Sequence, residues 1–189
     1  MSGVIKIGKS GFWERRHSPN ESLQIAAGLF NVIKGETIVE IGTGIHGDIS
    51  GNSVLVWANG TDAINIIAVD PCPDRIAEVD EHTREHPQVK SMLMYGIDYL
   101  EEHQGGIDLL YLDFWADTPM GRAEAYQECY LAAKDKMTDN SMILIDDTDH
   151  THPWKHTLIV PLAQDDGYRV LYEGRQTLLL RGDGRNLLG

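Results

Sequence analysis

Cysteine is almost missing from this sequence. Cys72 and Cys129 are the only two, which excludes a disulfide framework and any Cys-x-x-Cys zinc or redox motif. Long apolar runs are missing too. Nothing approaches the roughly 20 consecutive apolar residues that span a bilayer, and Met1 to Lys9 lack the apolar core of a signal peptide, so cytoplasmic residence with no membrane partner is the expectation. Positive charge is scarce. Lys and Arg number 16 against 29 Asp and Glu, a net charge of −13, and no basic block is longer than a pair such as Arg15-Arg16. A protein whose main partner is nucleic acid must neutralise phosphates, so a small-molecule partner is favoured. Repeats and low-complexity segments are also absent. What remains is ordinary for a globular chain, with 42% hydrophobic and 24% charged residues in 189. That suits one domain, here residues 18–189, preceded by an arm over 1–17 whose Phe12 and Trp13 either pack on the domain or form a lid. Oligomeric state stays open, a homo-oligomer included.

The stretch Thr37-Ile-Val-Glu-Ile-Gly-Thr-Gly44 organises the rest. Its β-branched run reads as a buried strand, and the Gly-x-Gly after it reads as a turn where backbone approaches something closely. A second apolar strand, Ile66 to Asp70, ends in an acid about 25 residues downstream, the spacing of a ribose-binding carboxylate. Either feature alone is weak, since turns use glycine constantly.

Around them, strands and helices alternate. Ser18, Pro19 and Glu21 open a helix that Gly35 stops. Further helices are expected over Val54–Ala58, Asp74–His86, Pro119–Met137 and Pro153–Gln164. Further strands are expected over Ser91–Tyr95, Asp108–Leu112, Ser141–Ile145, Tyr168–Tyr172 and Gln176–Leu180. Alternation predicts a parallel sheet covered on both faces. The turn Glu173-Gly174-Arg175 is too short for a crossover and joins antiparallel strands. The predicted fold is therefore α/β, a Rossmann-like three-layer sandwich whose seven-stranded, mostly parallel sheet ends in an antiparallel hairpin.

In such a sheet the carboxyl ends of the strands share one crevice. Acids sit at five of them: Glu40 within its strand, Asp70, Asp98, Asp113, and the pair Asp146-Asp147. A single loop acid is most simply a solvated turn residue; five on one edge suggest a site. Glu40 and Asp70 suit S-adenosylmethionine, with its ammonium, sulfonium and ribose diol. NAD prefers a Gly-x-Gly-x-x-Gly turn onto a helix N-terminus. Gly42, Gly44 and Gly47 do stand in that register, but no helix obviously starts there, and Glu40 would repel a pyrophosphate.

Val39 to Gly44, Asp70, Tyr95 to Asp98, Leu112-Asp113 and Ile145 to Asp147, with the closing hairpin, resemble the class I S-adenosylmethionine-dependent methyltransferases over about residues 20 to 182. Within that class the pattern is most similar to metal-dependent small-molecule O-methyltransferases of the macrocin and mycinamicin type. The rhamnosyl O-methyltransferase and cephalosporin hydroxylase group is also similar, through Asp147-Thr148. The resemblance implies Mg²⁺ (or Mn²⁺ or Ca²⁺) on Asp113, Asp146 and Asp147, and three carboxylates are indeed hard-cation ligands. It further implies that Glu40, Gly42, Thr43 and Gly44 hold the methionine end, that Asp70 takes the ribose, and that Pro71, Gly96, Ile97, Asp98 and Asp113 complete the cofactor set. Two departures stand out. Asp113-Phe-Trp-Ala-Asp117 lacks the family's Asp-Gly-Asp or Asp-x-x-His, and Gly51-Asn52-Ser53 lies further from the glycines than its Gly-x-Ser does.

The densest polar run is Asp146 to His152. His150 is the candidate general base beside Asp113, since an imidazole titrates near neutrality. With His152 and His156 it could instead contribute to a zinc site, or all three could be plain loop residues. Trp115 and Trp154 could wall an apolar acceptor. The expected activity is methylation of a small-molecule hydroxyl. The alternatives are an NAD(P)-dependent oxidoreductase on the same kind of fold and a non-catalytic S-adenosylmethionine-binding protein. A DNA amino-methyltransferase is disfavoured by Asp113-Phe-Trp-Ala, where such enzymes resemble Asp/Asn-Pro-Pro-Tyr/Phe, and by the charge.

Overall fold

The computed structural model describes residues 19–43, 52–115, 121–149 and 155–182. Seven strands form one sheet: β1 Thr37–Ile41, β2 Asn65–Asp70, β3 Val89–Leu93, β4 Ile107–Leu112, β5 Met137–Ile145, β6 Tyr168–Glu173 and β7 Thr177–Arg181. Their order is β3-β2-β1-β4-β5-β7-β6. The pairings among the first five are parallel. β7 runs antiparallel to both β5 and β6, so one reversed strand is inserted by the terminal hairpin, as the short turn requires.

Alternate residues of the strands feed two cores. On one face Ile38, Ile66, Leu109, Tyr111 and Leu144 pack on α1 (Pro19–Val32) and α2 (Ser53–Gly60), with Phe30 and Trp57 at the centre; Val79 of α3 (Pro73–Thr83) joins them. On the other, Val39, Ile41, Val69, Leu110 and Ile143 pack on α4 (Gly96–Glu102), α5 (Arg122–Ala133) and α6 (Ile159–Asp165) through Leu100, Tyr126, Tyr130 and Ile159. The predicted three-layer sandwich is present. No helix among the described residues is long and apolar enough to cross a membrane.

Some boundaries differ from expectation. β3 starts two residues early because its register follows β2, from Ile66 opposite Val89 to Asp70 opposite Leu93. Gly96 to Asp98 do not continue a strand end; they open α4. The helix expected to reach Met137 stops at Ala133, and a 3-10 turn, Lys134–Lys136, leads into β5. There Met137 pairs with Ile107, and Thr138 Oγ1 donates to Asp108 Oδ1 at 2.7 Å, which draws a polar segment into an irregular strand. α6 begins at Ile159, after a turn over residues 155–158. At the end of α1 it is Lys34, not Gly35, that takes the left-handed conformation (φ 57°).

Candidate active site at the carboxyl edge of the sheet

The loops leaving β1, β4 and β5 are knitted together by backbone. Gly42 N donates to Val69 O (2.9 Å), Asp113 N to Ile41 O (2.9 Å) and Asp146 N to Leu112 O (3.0 Å), so the ladder runs one residue past each strand. Along this edge the strand order therefore sets Asp70, Gly42, Asp113 and Asp146 in a row. Gly42 is required by this contact. Its φ is +86°, and a Cβ there would meet the Asp113 carbonyl oxygen at 2.3 Å. The glycine predicted to approach a ligand is pressed against the neighbouring strand's backbone.

On the β1–β2 side both carboxylates are held by nearby residues. Glu40 is fully buried, accepting from Ser53 Oγ and Trp57 Nε1, each at 2.8 Å. Burial pushes its carboxyl up to about 7, against the pull of those two hydrogen bonds. A carboxyl so placed gives the start of α2 its anchor. Asp70, also buried, accepts from the Cys72 N–H (2.8 Å) and pairs with Arg75 at 3.2 Å. Thr43 is buried beside them. Pro71 and Asp98 lie exposed, and Asp98 sits in the first turn of α4, where an acid also favours the helix dipole. A Cβ on Gly96 would meet Ile41 Cγ2 at 2.1 Å, so this glycine lets α4 approach β1. Ile97 packs against the core on that face.

The β4–β5 side gathers three acids. Asp113, Asp146 and Asp147 each offer an oxygen within 4.8 Å of the others, the one such ligand cluster among the described residues. Asp147 achieves this with a left-handed backbone (φ 55°), which an aspartate tolerates. Burial and the adjacent Asp146 carboxylate hold Asp113 well above the ordinary carboxylate range, with Lys155 pulling the other way, although 34% of its side chain stays open to solvent.

Two cations stand among these acids. Lys155, 2% exposed, places Nζ 3.1 Å from Asp147 Oδ2 and 3.8 Å from Asp113 Oδ1. Arg175 contacts Asp147 at 2.9 Å and Asp146 at 3.6 Å. Burial works against the Arg175 charge, but Asp146, Asp147, Asp149 and Asp113 outweigh it and raise its pKa. Beneath them Gln176 Nε2 donates to Asp146 Oδ1 (2.6 Å) and to the Tyr111 hydroxyl (3.1 Å), and the Tyr111 hydroxyl donates to Asp113 Oδ2 (3.1 Å). Gln176 Oε1 accepts from Ser22 Oγ of α1 at 2.5 Å. Tyr126 holds the β4 loop, stacking on Phe114 at 4.2 Å and bonding both its N–H and its carbonyl. Trp115 is exposed beneath the Arg122 guanidinium, 3.2 Å from its ring centroid.

Lys155, Arg175, Gln176 and Tyr111 were not anticipated. One signal was available: an antiparallel β7 beside β5 sets the β6–β7 turn against the residues that follow Ile145, which pairs with Thr177. Gly44, His150, His152 and Trp154 lie outside the described residues. His156 is half-buried, and burial lowers its pKa, opposed by Glu173.

The donor set suits a hard divalent cation, yet its charge is already met. Three carboxylates face two buried or half-buried cations, leaving a net charge of about −1 rather than −3 for an ion to neutralise. As arranged, these residues do not fit the implied Mg²⁺.

No family model matches this sequence, and no curated protein does. Solved structures do match in fold. The N-methyltransferase NodS from Bradyrhizobium japonicum superposes with a TM-score of 0.61 at 8% identity, covering 88% of this chain and 98% of NodS. The SAH-bound methyltransferase PaMTH1 of Podospora anserina gives 0.62 at 20% identity, over 90% of this chain and 80% of that one. A methyltransferase from Geobacter sulfurreducens gives 0.62 at 13%, over 89% and 80%. The chain has the fold of the class I S-adenosylmethionine-dependent methyltransferases.

Proposed function

We propose that this protein is an S-adenosylmethionine-dependent methyltransferase acting on a hydroxyl of a small molecule. One observation carries the reading: the glycine turn and Asp70 share a sheet edge with Asp113, Asp146 and Asp147, in a fold common to an SAH-bound neighbour. Glu40, Gly42, Thr43 and Gly44 form the methionine end of the cofactor site, Asp70 and Pro71 the ribose end, and Gly96, Ile97 and Asp98 its far wall. Asp70 meets the ribose by exchanging its Arg75 contact for hydroxyl donors. The acceptor lies over Asp113, a carboxyl whose raised pKa suits it to take a proton. His150 is the second candidate base. Positioning supplies much of the remaining rate, by holding hydroxyl oxygen and methyl carbon about 3 to 3.5 Å apart. The net charge of −13 favours a small acceptor over nucleic acid. The structural neighbours favour neither the oxidoreductase nor the non-catalytic alternative.

A second reading keeps a divalent cation on Asp113, Asp146 and Asp147, and the convergence of their oxygens favours it; Lys155 and Arg175 weigh against it. The test is transfer of labelled methyl from S-adenosylmethionine to a panel of hydroxylated small molecules, with and without EDTA. Transfer that is lost in Asp146→Ala while cofactor binding survives supports the proposal. Transfer to nitrogen acceptors alone overturns the hydroxyl assignment, and loss of transfer in EDTA selects the second reading.

A further inference from the structure

We propose that Lys155 is the resident cation of the Asp113–Asp146–Asp147 cluster, filling with an ammonium the role that a divalent ion would otherwise take, so that the site works without metal. What this charge serves rests on the methyl-transfer reading above; the metal chemistry itself is independent of it.

A lysine this deeply buried is retained only when it is paired, because an unpaired buried charge is costly. Its ammonium faces two of the three carboxylates, at 3.1 and 3.8 Å, with the Tyr126 ring 5.3 Å away. Arg175 takes the remaining acid, Asp146, and shares Asp147. Gln176 donates to Asp146 Oδ1, so each of the three acids already has a side-chain partner. A divalent ion bridging Asp113 and Asp147 would lie against the Lys155 ammonium, and like charges at that range repel strongly in a buried site. An exposed lysine could swing away into water at little cost. Lys155 has no such freedom, since leaving means abandoning both acids from a position 2% exposed. Asp147 takes a left-handed conformation, and the β6–β7 turn is set against the end of β5.

The test is Mn²⁺ uptake by the full chain, read from the free Mn²⁺ signal in electron paramagnetic resonance, with thermal unfolding followed in parallel. Wild type is expected to take up no stoichiometric Mn²⁺, and its Tm to be unmoved by Mn²⁺, Mg²⁺ or EDTA. Lys155→Met, which removes the charge and keeps most of the length, is expected to bind one Mn²⁺ at least about tenfold more tightly and to regain Tm when the ion is added. Stoichiometric uptake by wild type, or a Lys155→Met protein that binds no better, overturns the proposal. If Lys155→Met does not fold, wild type and Asp147→Asn decide the matter. A Tm rise with Mn²⁺ in wild type that Asp147→Asn abolishes contradicts it, and no rise in wild type supports it. Failure of S-adenosylmethionine to bind would overturn the function proposed above and leave these outcomes unchanged.

Discussion

The two ends of the carboxyl edge are built differently. At β1 and β2 each acid is held from close by in the chain: Glu40 by Ser53 and Trp57, Asp70 by Cys72 and Arg75. At β4 and β5 Lys155 stands eight residues from Asp147, but Arg175 and Gln176 come from the hairpin turn, 28 and 30 residues beyond the acids they meet. The first end is a local frame in which neutral donors and one arginine fix two carboxylates. The second is an assembled cluster of charge whose balance depends on strand order. An acid row that looks uniform in sequence thus divides into two chemical environments.

Gly42 joins the two ends, so changing it should break both. Gly42→Val puts a β-branched residue at φ +86° and a Cβ 2.3 Å from the Asp113 carbonyl oxygen. The expected loss is at least about 3 kcal/mol, a Tm fall of about 6–12 °C, measured by circular dichroism. A variant that melts like wild type would show that the loops are not pressed together.

Next in size is the pH dependence contributed by Glu40. Its folded pKa of about 7 lies above the ordinary 4.5, so the folded state binds the extra proton between those values and stability falls as pH rises through that window. The contribution lost by pH 8 is about 3 kcal/mol at most. Glu40→Gln, which keeps a polar group at the position, should flatten the Tm profile between pH 5 and 8. An unchanged slope would move the titration elsewhere.

Gln176→Leu tests the assembled end alone. It removes donors to Asp146 and Tyr111 and leaves Ser22 without its acceptor, at an expected cost of about 2 kcal/mol. Smallest in stability but sharpest in function is Asp70→Asn, which should weaken cofactor affinity by about tenfold and shift Tm little. Unchanged affinity in a calorimetric titration would remove Asp70 from the binding site.

The contrast between the ends also explains what could be read from sequence. Strand ends and their acids were legible because a buried parallel strand is a continuous apolar run and its boundary is abrupt, as at Ile41-Gly42 or Ile145-Asp146. The reversed β7 was legible from a three-residue turn. Lys155 and Arg175 were not, because in sequence they are isolated bases beside turns, and only the folded chain sets them against acids. The Ser53 and Trp57 partners of Glu40 were not legible either, lying 13 and 17 residues further along the chain. β5 extends beyond its apolar run: Thr138, Asp139 and Asn140 carry no apolar pattern, and a bond from Thr138 to Asp108 ties that segment to β4. Gly44 and His150 lie outside the described residues, and the cofactor role expected of Pro71 rests on the resemblance.

The central claim is that this edge accepts an S-adenosylmethionine-type donor. Thermal shift of the full chain with S-adenosylmethionine, S-adenosylhomocysteine, NAD and NADP tests it most directly. Both sulfur nucleosides are expected to raise Tm in a saturable way, and neither dinucleotide is. A rise with NAD or NADP and none with the sulfur nucleosides would contradict it.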